Sequence, residues 1–402
     1  MRPLLALALT SISASAADWP QFLGANRDSS SPEKVSAWKE KPKELWSKPV
    51  GEAHSSPVVA KGVVYAFYKV AKKDADALAA FDAKTGDLLW EQSYDRAKFQ
   101  PLFGEGPRGT PTVDGDRVYT LGNTGVLACW DATKKGEIVW KVDTLKDFQA
   151  KNLVFGASTS PTVVGKHVVI MVGGKGAGIV GFDKETGKVA WQETEDTPSY
   201  ASPIPVGKDE LVFLTNSHVR SLSAADGKEI WKFPFTDALL ESSTTPVKTG
   251  DLYVVGSVKT GSVGLRIGEK GGKPEQVWKN DKLTCYFSTP VAVGEFLYMV
   301  NGKATLQNAA IIFRCVEAKS GKIAWEKTNV GKYHAALVKT GDDKLLFLDD
   351  GGNLMLLEPN GKEYKELARA KVCGETWAHP ALSDGKLYLR DDKKLYCLQL
   401  GE

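Results

Sequence analysis

Three of the five histidines in this 402-residue chain stand beside acidic or aromatic side chains: His54 after Glu52, His334 after Tyr333, and His379 within Glu375-Thr376-Trp377-Ala378-His379. Imidazole next to carboxylate can move a proton or hold a transition metal, and imidazole next to indole or phenol can line a polar ligand pocket. These histidines come from distant segments and contain no H-x-H pair, so no metal site is expected. Neither a G-x-S-x-G elbow nor a Ser/His/Asp set is present, and no catalytic residue is assigned. GAGIVG at 176–181 has the dinucleotide spacing, but it runs into FDKETG, a turn where a helix should begin, so the match is accidental. LDDGGN at 348–353 offers Asp349, Asp350 and Asn353 to calcium but reads as a hairpin turn.

A repeat positions these residues. FDAKTGDLLW (81–90) returns as WDATKKGEIVW (130–140), FDKETGKVAW (182–191), LSAADGKEIW (222–231) and CVEAKSGKIAW (315–325). Ahead of each stands a Ser/Thr-Pro, a short β run, a Gly turn and an aromatic or β-branched strand, as in SSPVVAKGVVYAF from 55 and STPVAVGEFLYMV from 288. Eight such units, spaced 42 to 54 residues apart, each with four short strands, predict an all-β, eight-bladed β-propeller of four-stranded antiparallel blades over residues 45–402. Strand A is expected to start at the proline, whose missing N–H suits the innermost position. The chain ends on a third strand, LYCLQL (395–400), and LWSKPV (45–50) reads as a fourth strand with nothing before it, so the N-terminal strand is expected to complete the last blade.

Within the decapeptide, Asp82 and Thr85 can bond turn N–H groups, Gly86 can take positive φ, and Trp90 offers a flat ring to a neighbouring blade. The expected docking set is Trp46, Asp82, Gly86, Trp90, Trp140, Asp183, Gly187, Trp191, Trp231, Trp278 and Trp325; the blade with LEPNGKEYKEL (357–367) lacks the tryptophan. One position before the strand-C apolar residue is always small: Ala80, Cys129, Gly181, Ser221, Cys315 and Cys397. Those three cysteines are therefore expected as buried free thiols, while Cys285 and Cys373 are left open.

Loops entering strand A converge on one mouth of the channel. Three residues before each proline, or its equivalent, stand His54, Arg108, Ser158, Tyr200, Ser243, Phe287, Tyr333 and Trp377; one before it stand Ser56, Thr110, Ser160, Ser202, Thr245, Thr289, Ala335 and His379. The second set reads as a hydroxyl ring that satisfies backbone groups. The expected ligand- or partner-binding residues are His54, Arg108, Tyr200, Glu241, Phe287, Tyr333, His334, Trp377 and His379, with Glu52, Glu105 and Glu375 nearby: a funnel for a peptide segment or a small anion, the plain alternative being a plugged mouth.

Composition sets limits. Fifty-two basic and 49 acidic residues are interspersed to a net charge of +3, which excludes a nucleic-acid footprint. MRPLLALALTSISASA has a basic start, an apolar run and small residues at Ala14 and Ala16, so residues 1–17 are expected to be a secretory signal and 18–44 a leader segment before the propeller. No cysteine lies near the cleavage point, which disfavours a lipoprotein, and no other stretch reaches the roughly 18 apolar residues of a membrane helix. The protein is expected to be exported, periplasmic or extracellular, and monomeric.

The pattern A-F-D-x-x-T-G-x-x-x-W from Ala80 to Trp90 resembles the tryptophan-docking repeat of the pyrroloquinoline quinone (PQQ)-like propellers, and DWPQFLGANRDSSSP (18–32) is similar to the leader of secreted bacterial members of that group. The resemblance implies one of two activities. Quinone-dependent alcohol dehydrogenases use PQQ, calcium, an Asp base and a vicinal cysteine pair; no two cysteines here are adjacent, and no residue can be matched to the calcium ligands. Propellers similar to the outer-membrane β-barrel assembly factor B are non-catalytic. The chain resembles the latter more, which implies a binding or scaffold protein in envelope protein assembly, without cofactor, whose partner is an envelope protein or peptide segment. A small PQQ-dependent alcohol or sugar dehydrogenase with PQQ and calcium, and an extracellular polysaccharide-binding module using Tyr200, Phe287, Tyr333 and Trp377, are the alternatives.

Overall fold

The computed structural model describes residues 17–268, 271–302 and 309–400, so residues 1–16 of the expected signal lie outside the described residues. Among the described residues, the strands form eight four-stranded antiparallel sheets. The first blade comprises Val58–Ala60, Val63–Lys69, Ala75–Asp82 and Leu88–Asp95, running from the channel outward. Each later repeat does the same, over 112–143, 162–193, 204–234, 247–280, 291–328 and 335–371. The eighth blade is Ala381–Ser383, Lys386–Arg390 and Lys394–Gln399, completed on its outer edge by Glu44–Pro49, which pairs antiparallel with the last strand. The innermost strand Val58–Ala60 touches Thr112–Asp114 on one side and Ala381–Ser383 on the other, which closes the ring. One detail differs from expectation: the inner strands begin one residue after the proline, at Val58 and Thr112, because proline has no N–H to open the ladder.

The second and third strands of each blade are buried on both faces, which explains their unbroken apolar runs such as Val63–Lys69 and Val126–Asp131. Apolar packing is therefore spread over the blade interfaces. Val58, Phe67 and Leu78 of the first blade meet Val118, Ala128 and Trp130 of the second. The outer strands alternate exposed and half-buried residues, with charges on the exposed side, as in Glu137–Asp143, where they discourage edge pairing.

The tryptophans join the blades. Trp46 Nε1 donates to the carbonyl of Ala83 at 3.2 Å, Trp140 Nε1 to Lys184 at 3.0 Å, Trp278 Nε1 to Ala318 at 2.9 Å and Trp325 Nε1 to Asn360 at 2.8 Å, each in the C–D turn of the next blade. A β-carbon on the turn glycine would fall 2.6 Å from Trp46 at Gly86 and 2.4 Å from Trp90 at Gly136, so the ring lies directly on bare backbone. Trp231 departs from the pattern, its Nε1 donating to Glu210 at 3.2 Å within its own blade. Asp82 and Asp183 accept the N–H of Thr85 at 2.8 Å and of Thr186 at 2.9 Å. The hydroxyl of Thr186 also bonds Asp183, and these bonds hold both carboxyls below their ordinary range.

The small position has a sharper cause than general packing. Ala80, Cys129, Gly181, Ser221, Gly264, Cys315 and Cys397 each stand directly across the sheet from a tryptophan: Trp90, Trp140, Trp191, Trp231, Trp278, Trp325 and Trp46. The seventh blade inverts the sizes, with Leu356 opposite Ala368. Its missing tryptophan follows from closure. The eighth blade takes its fourth strand, Glu44–Pro49, from the N-terminal side of the propeller, so no C–D turn joins its third and fourth strands for such a ring to cover. All five cysteines are free and buried, Cys285 and Cys373 included.

Residues 18–35 are woven into the face opposite the strand-A loops. Trp19 pairs with Val59 through two backbone bonds of 2.8 and 2.9 Å, Val113 N–H donates to Pro20, and Lys339 N–H donates to Ser29 at 2.8 Å, so the segment reaches blades on both sides of the channel. Arg27 is 2% exposed. Its guanidinium donates to the carbonyls of Pro161 and Pro203, to the Thr112 hydroxyl and to Gln21 Oε1, with no carboxylate among its partners in the described residues. The GAGIVG stretch is a β-hairpin entering the strand Ala177–Asp183, and Asp349 accepts the Asn353 N–H at 2.8 Å across a hairpin turn.

Candidate functional site

Six of the eight strand-A loops present a hydroxyl toward the channel, and these hydroxyls form a belt. Ser56 N–H donates to Thr110 Oγ1 at 3.1 Å, Thr110 N–H to Ser160 Oγ at 3.1 Å, Ser160 N–H to Ser202 Oγ at 2.9 Å, and Ser202 N–H to Thr245 Oγ1 at 3.2 Å. Thr245 N–H then reaches Thr289 Oγ1 at 3.2 Å, and His379 N–H reaches Ser56 Oγ at 2.9 Å. Backbone satisfaction thus runs from blade to blade. The belt breaks where Ala335 and His379 replace the hydroxyl. There His334 Nδ1 lies 2.8 Å from the Phe287 carbonyl, an arrangement that makes Nδ1 the protonated nitrogen.

Above the belt lies a cavity of about 120 Å³. Of the nine residues expected at the mouth, it brings together His54, Arg108, Tyr200, Phe287, His334, Trp377 and His379. Tyr333 lines a second, outer hollow of about 360 Å³ with Glu52, Asp350, Glu375 and Asp392. Glu241 borders neither space and accepts the Tyr286 hydroxyl at 2.6 Å. Glu105 sits in the loop between the first and second blades, its carboxylate 3.2 Å from Lys69 Nζ.

Three aromatic residues complete the cavity that sequence reasoning missed: Phe22, Phe103 and Phe155. Phe103 forms the roof, its ring centroid 5.2 Å from Trp377, 5.9 Å from Tyr333 and 5.9 Å from Phe155. His54 stacks on Trp377 at 5.1 Å, and Phe287 lies 5.1 Å from the same indole. Phe22, carried by the leader, makes the floor and meets His379 edge-on at 5.3 Å. A signal for two of them existed: the spacings of 54 and 50 residues that enclose Phe103 and Phe155 exceed those of the other repeats. No periodic signal marks Phe22, which precedes the first repeat.

The roof loop is fixed in place. Arg96 Nε pairs with Asp76 at 3.0 Å with both side chains fully buried, and Arg96 Nη2 donates to the Glu105 carbonyl at 3.0 Å. Arg108 turns back on the same loop and donates to the carbonyls of Leu102, Phe103, Gly104 and Gly106 at 3.2–3.3 Å. Among the described residues, no Asp or Glu lines the inner cavity. Burial, with Arg108 and Arg390 adding to it, pushes His54 well below the ordinary imidazole range; burial lowers His334 as well and takes His379 down to about 3. The histidines are therefore neutral at physiological pH. Among the described residues, no three His, Cys, Asp or Glu side chains are placed to hold one metal ion.

A family model described as outer membrane protein assembly factor BamB matches residues 28–106 and 73–312. The chain belongs to this BamB family. The outer membrane protein assembly factor BamB of Burkholderia pseudomallei is 24% identical over 342 residues, 73% of this chain and 84% of the relative. The dehydrogenase subunit of a quinone alcohol dehydrogenase from Gluconobacter oxydans is 33% identical over 148 residues, which is 34% of this chain and 18% of that one. Among solved structures, BamB from Moraxella catarrhalis superposes with a TM-score of 0.63 at 14% identity, covering 89% of this chain and 99% of that one. A europium-containing methanol dehydrogenase superposes with a TM-score of 0.70 at 13% identity, covering 93% and 89%. The BamB-type propeller and the quinoprotein dehydrogenases thus share this fold, and the site has to distinguish their chemistries.

Proposed function

We propose that this BamB-family propeller is a non-catalytic scaffold that binds an envelope protein partner during protein assembly, in the periplasm or outside the cell, and that the partner meets the rim of the mouth. One observation carries this reading. The strand-A loops expose large apolar side chains outward, Leu102 at 56%, Val154 at 71% and Leu240 at 51%, while their neighbours Phe103 and Phe155 turn inward to the cavity. Apolar groups held outward on anchored loops favour protein contact. The test is photocrosslinking from Leu102, Val154 and Leu240 in the native envelope, with Lys134 on the outer edge as control. A discrete crosslinked envelope protein at the rim positions alone supports the reading, and equal labelling from Lys134 rejects it.

The inner cavity does not fit PQQ with its calcium. A fused tricyclic tricarboxylate exceeds a space of about 120 Å³ roofed by Phe103, Phe287 and Trp377. Calcium takes carboxylate and carbonyl oxygens, and among the described residues no Asp or Glu lines this space. Dye-linked turnover of an alcohol or sugar after reconstitution with PQQ and calcium would overturn the non-catalytic reading. The polysaccharide alternative draws no support from the aromatics, since Tyr200, Phe287, Tyr333 and Trp377 face one another or the roof rings instead of forming an open platform.

A further inference from the structure

The inner cavity has an unusual polarity. Its six belt hydroxyls, Ser56, Thr110, Ser160, Ser202, Thr245 and Thr289, each accept a backbone N–H, and none donates its own proton to another described residue. A hydroxyl that has accepted still carries one donor, so the belt presents a ring of O–H groups to the channel axis. Two guanidinium charges bracket that ring. Arg108 lines the cavity above it, and Arg27 lies just below, bonded to the carbonyls of Pro161 and Pro203, the residues that follow Ser160 and Ser202. Neutral acceptors satisfy the hydrogens of both cations, backbone carbonyls for Arg108 and the Pro161 and Pro203 carbonyls, Gln21 Oε1 and Thr112 Oγ1 for Arg27, and among the described residues no Asp or Glu lines the space.

Two buried nitrogens are left without partners. His334, 3% exposed, uses Nδ1 on the Phe287 carbonyl and leaves Nε2 unbonded, and His379, 5% exposed, leaves Nδ1 unbonded. Unpartnered polar atoms at this depth are costly unless a bound group satisfies them. The rest of the wall is aromatic, with Phe22 beneath and Phe103, Phe287 and Trp377 above. At about 120 Å³ the space is close to the ~150 Å³ of an engineered cavity that admits benzene. The outer hollow shares the wall residues His54, Phe103 and Trp377 with it.

We propose that this cavity binds a small organic carboxylate with a short apolar or aromatic body, the carboxylate set against the hydroxyl belt and the body between Phe22 and the aromatic roof. The site is independent of the scaffold reading, since it lies beneath the roof and not on the rim. Binding is coupled to protonation. Burial leaves both imidazoles neutral in the free protein: at His334 it outweighs the Phe287 carbonyl and Asp350 of the seventh blade, which favour the charged form, and at His379 the neighbouring His334 adds to it, while Arg108 and Arg390 act on His54 beside them. A bound anion reverses that balance and lets an unpartnered nitrogen take up a proton and donate it.

Calorimetry on the purified protein tests this with benzoate, benzamide, inorganic phosphate and chloride, in two buffers of different ionisation enthalpy between pH 5.5 and 8. Benzoate is expected to bind saturably, with proton uptake and with affinity rising by up to about tenfold for each pH unit lowered. Benzamide, with the same shape and no charge, is expected to bind at least about tenfold more weakly, a difference worth ~1.4 kcal/mol. His334→Gln is expected to diminish the proton uptake while melting cooperatively; if that variant does not fold, the pH slope of the unaltered protein decides. Equal affinity for benzamide, a pH-independent affinity, or no saturable binding overturns the proposal. Tighter binding of phosphate or chloride overturns the organic carboxylate in favour of an inorganic anion.

Discussion

Trp46 and Gly86 stand 40 positions apart in the chain, and the indole of the first lies across the bare backbone of the second, where a β-carbon would come within 2.6 Å of the ring. Trp46 belongs to the strand that completes the eighth blade and Gly86 to the C–D turn of the first, so this contact is part of the seam that closes the ring.

Two substitutions address that seam. Gly86→Ala meets both the ring and a φ of 73°, and is expected to cost about 1–3 kcal/mol in urea unfolding. Trp46→Ala is expected to cost about 3–5 kcal/mol and to expose residues 44–49 to protease. Because both remove one contact, the double variant should lose less than the sum of the two. Strict additivity would show that the ring closes without it.

The seventh blade offers a converse case. Ala368→Trp restores the repeat's residue but sets it opposite Leu356 instead of a small side chain, with no following turn to cover. A loss of about 1–3 kcal/mol is expected, partly regained by adding Leu356→Ala, as read by thermal melting. Stabilisation by the single substitution would refute the size complementarity.

The cysteines should be inert in the folded state. Burial pushes Cys129, Cys285, Cys373 and Cys397 up to about 12 and Cys315 up to about 11, far from the thiolate needed for reaction. Ellman's reagent at pH 8 should find no reactive thiol in the native protein and five after denaturation. Reductant should leave the melting temperature unchanged.

Acid stability should depend on the buried histidines. His379 titrates at about 3 when folded and near its ordinary value of 6.5 when unfolded, so between those values the unfolded chain binds more protons. Stability from neutral His379 is therefore complete above pH 6.5 and falls as pH drops towards 3, by up to about 1.4 kcal/mol for each pH unit. His379→Gln should flatten the acid limb of a stability-pH curve measured by urea unfolding. An unchanged limb would mean that His379 takes up no proton on unfolding in that window.

Much of the frame was legible because it is written many times. Eight copies set the blade count and strand order, and the broken units at 45–50 and 395–400 pointed to the closing strand. The small residues at Ala80, Cys129 and Gly181 were visible as a class, but their cause, an indole directly across the sheet, needed the register. Glu241 looked like a mouth residue from its position before the strand-A proline, yet its carboxylate turns to Tyr286.

What the sequence by itself determined is whatever recurs locally: strand periodicity, turn chemistry, and the tryptophan that joins each blade to the next. Such features act over a few residues, and repetition makes them readable one copy at a time. What only the tertiary structure decided is the cavity. Phe22, Phe103 and Phe155 occur once each, in a leader and two separate loops, and meet Phe287 and Trp377 of the repeated position at the channel only after ring closure. The same closure leaves the carboxylates Glu52, Asp350, Glu375 and Asp392 in the outer hollow and the hydroxyls, Arg108 and the buried histidines within. That division of charge is set by where eight blades bring unrelated loops together, and no spacing along the chain encodes it.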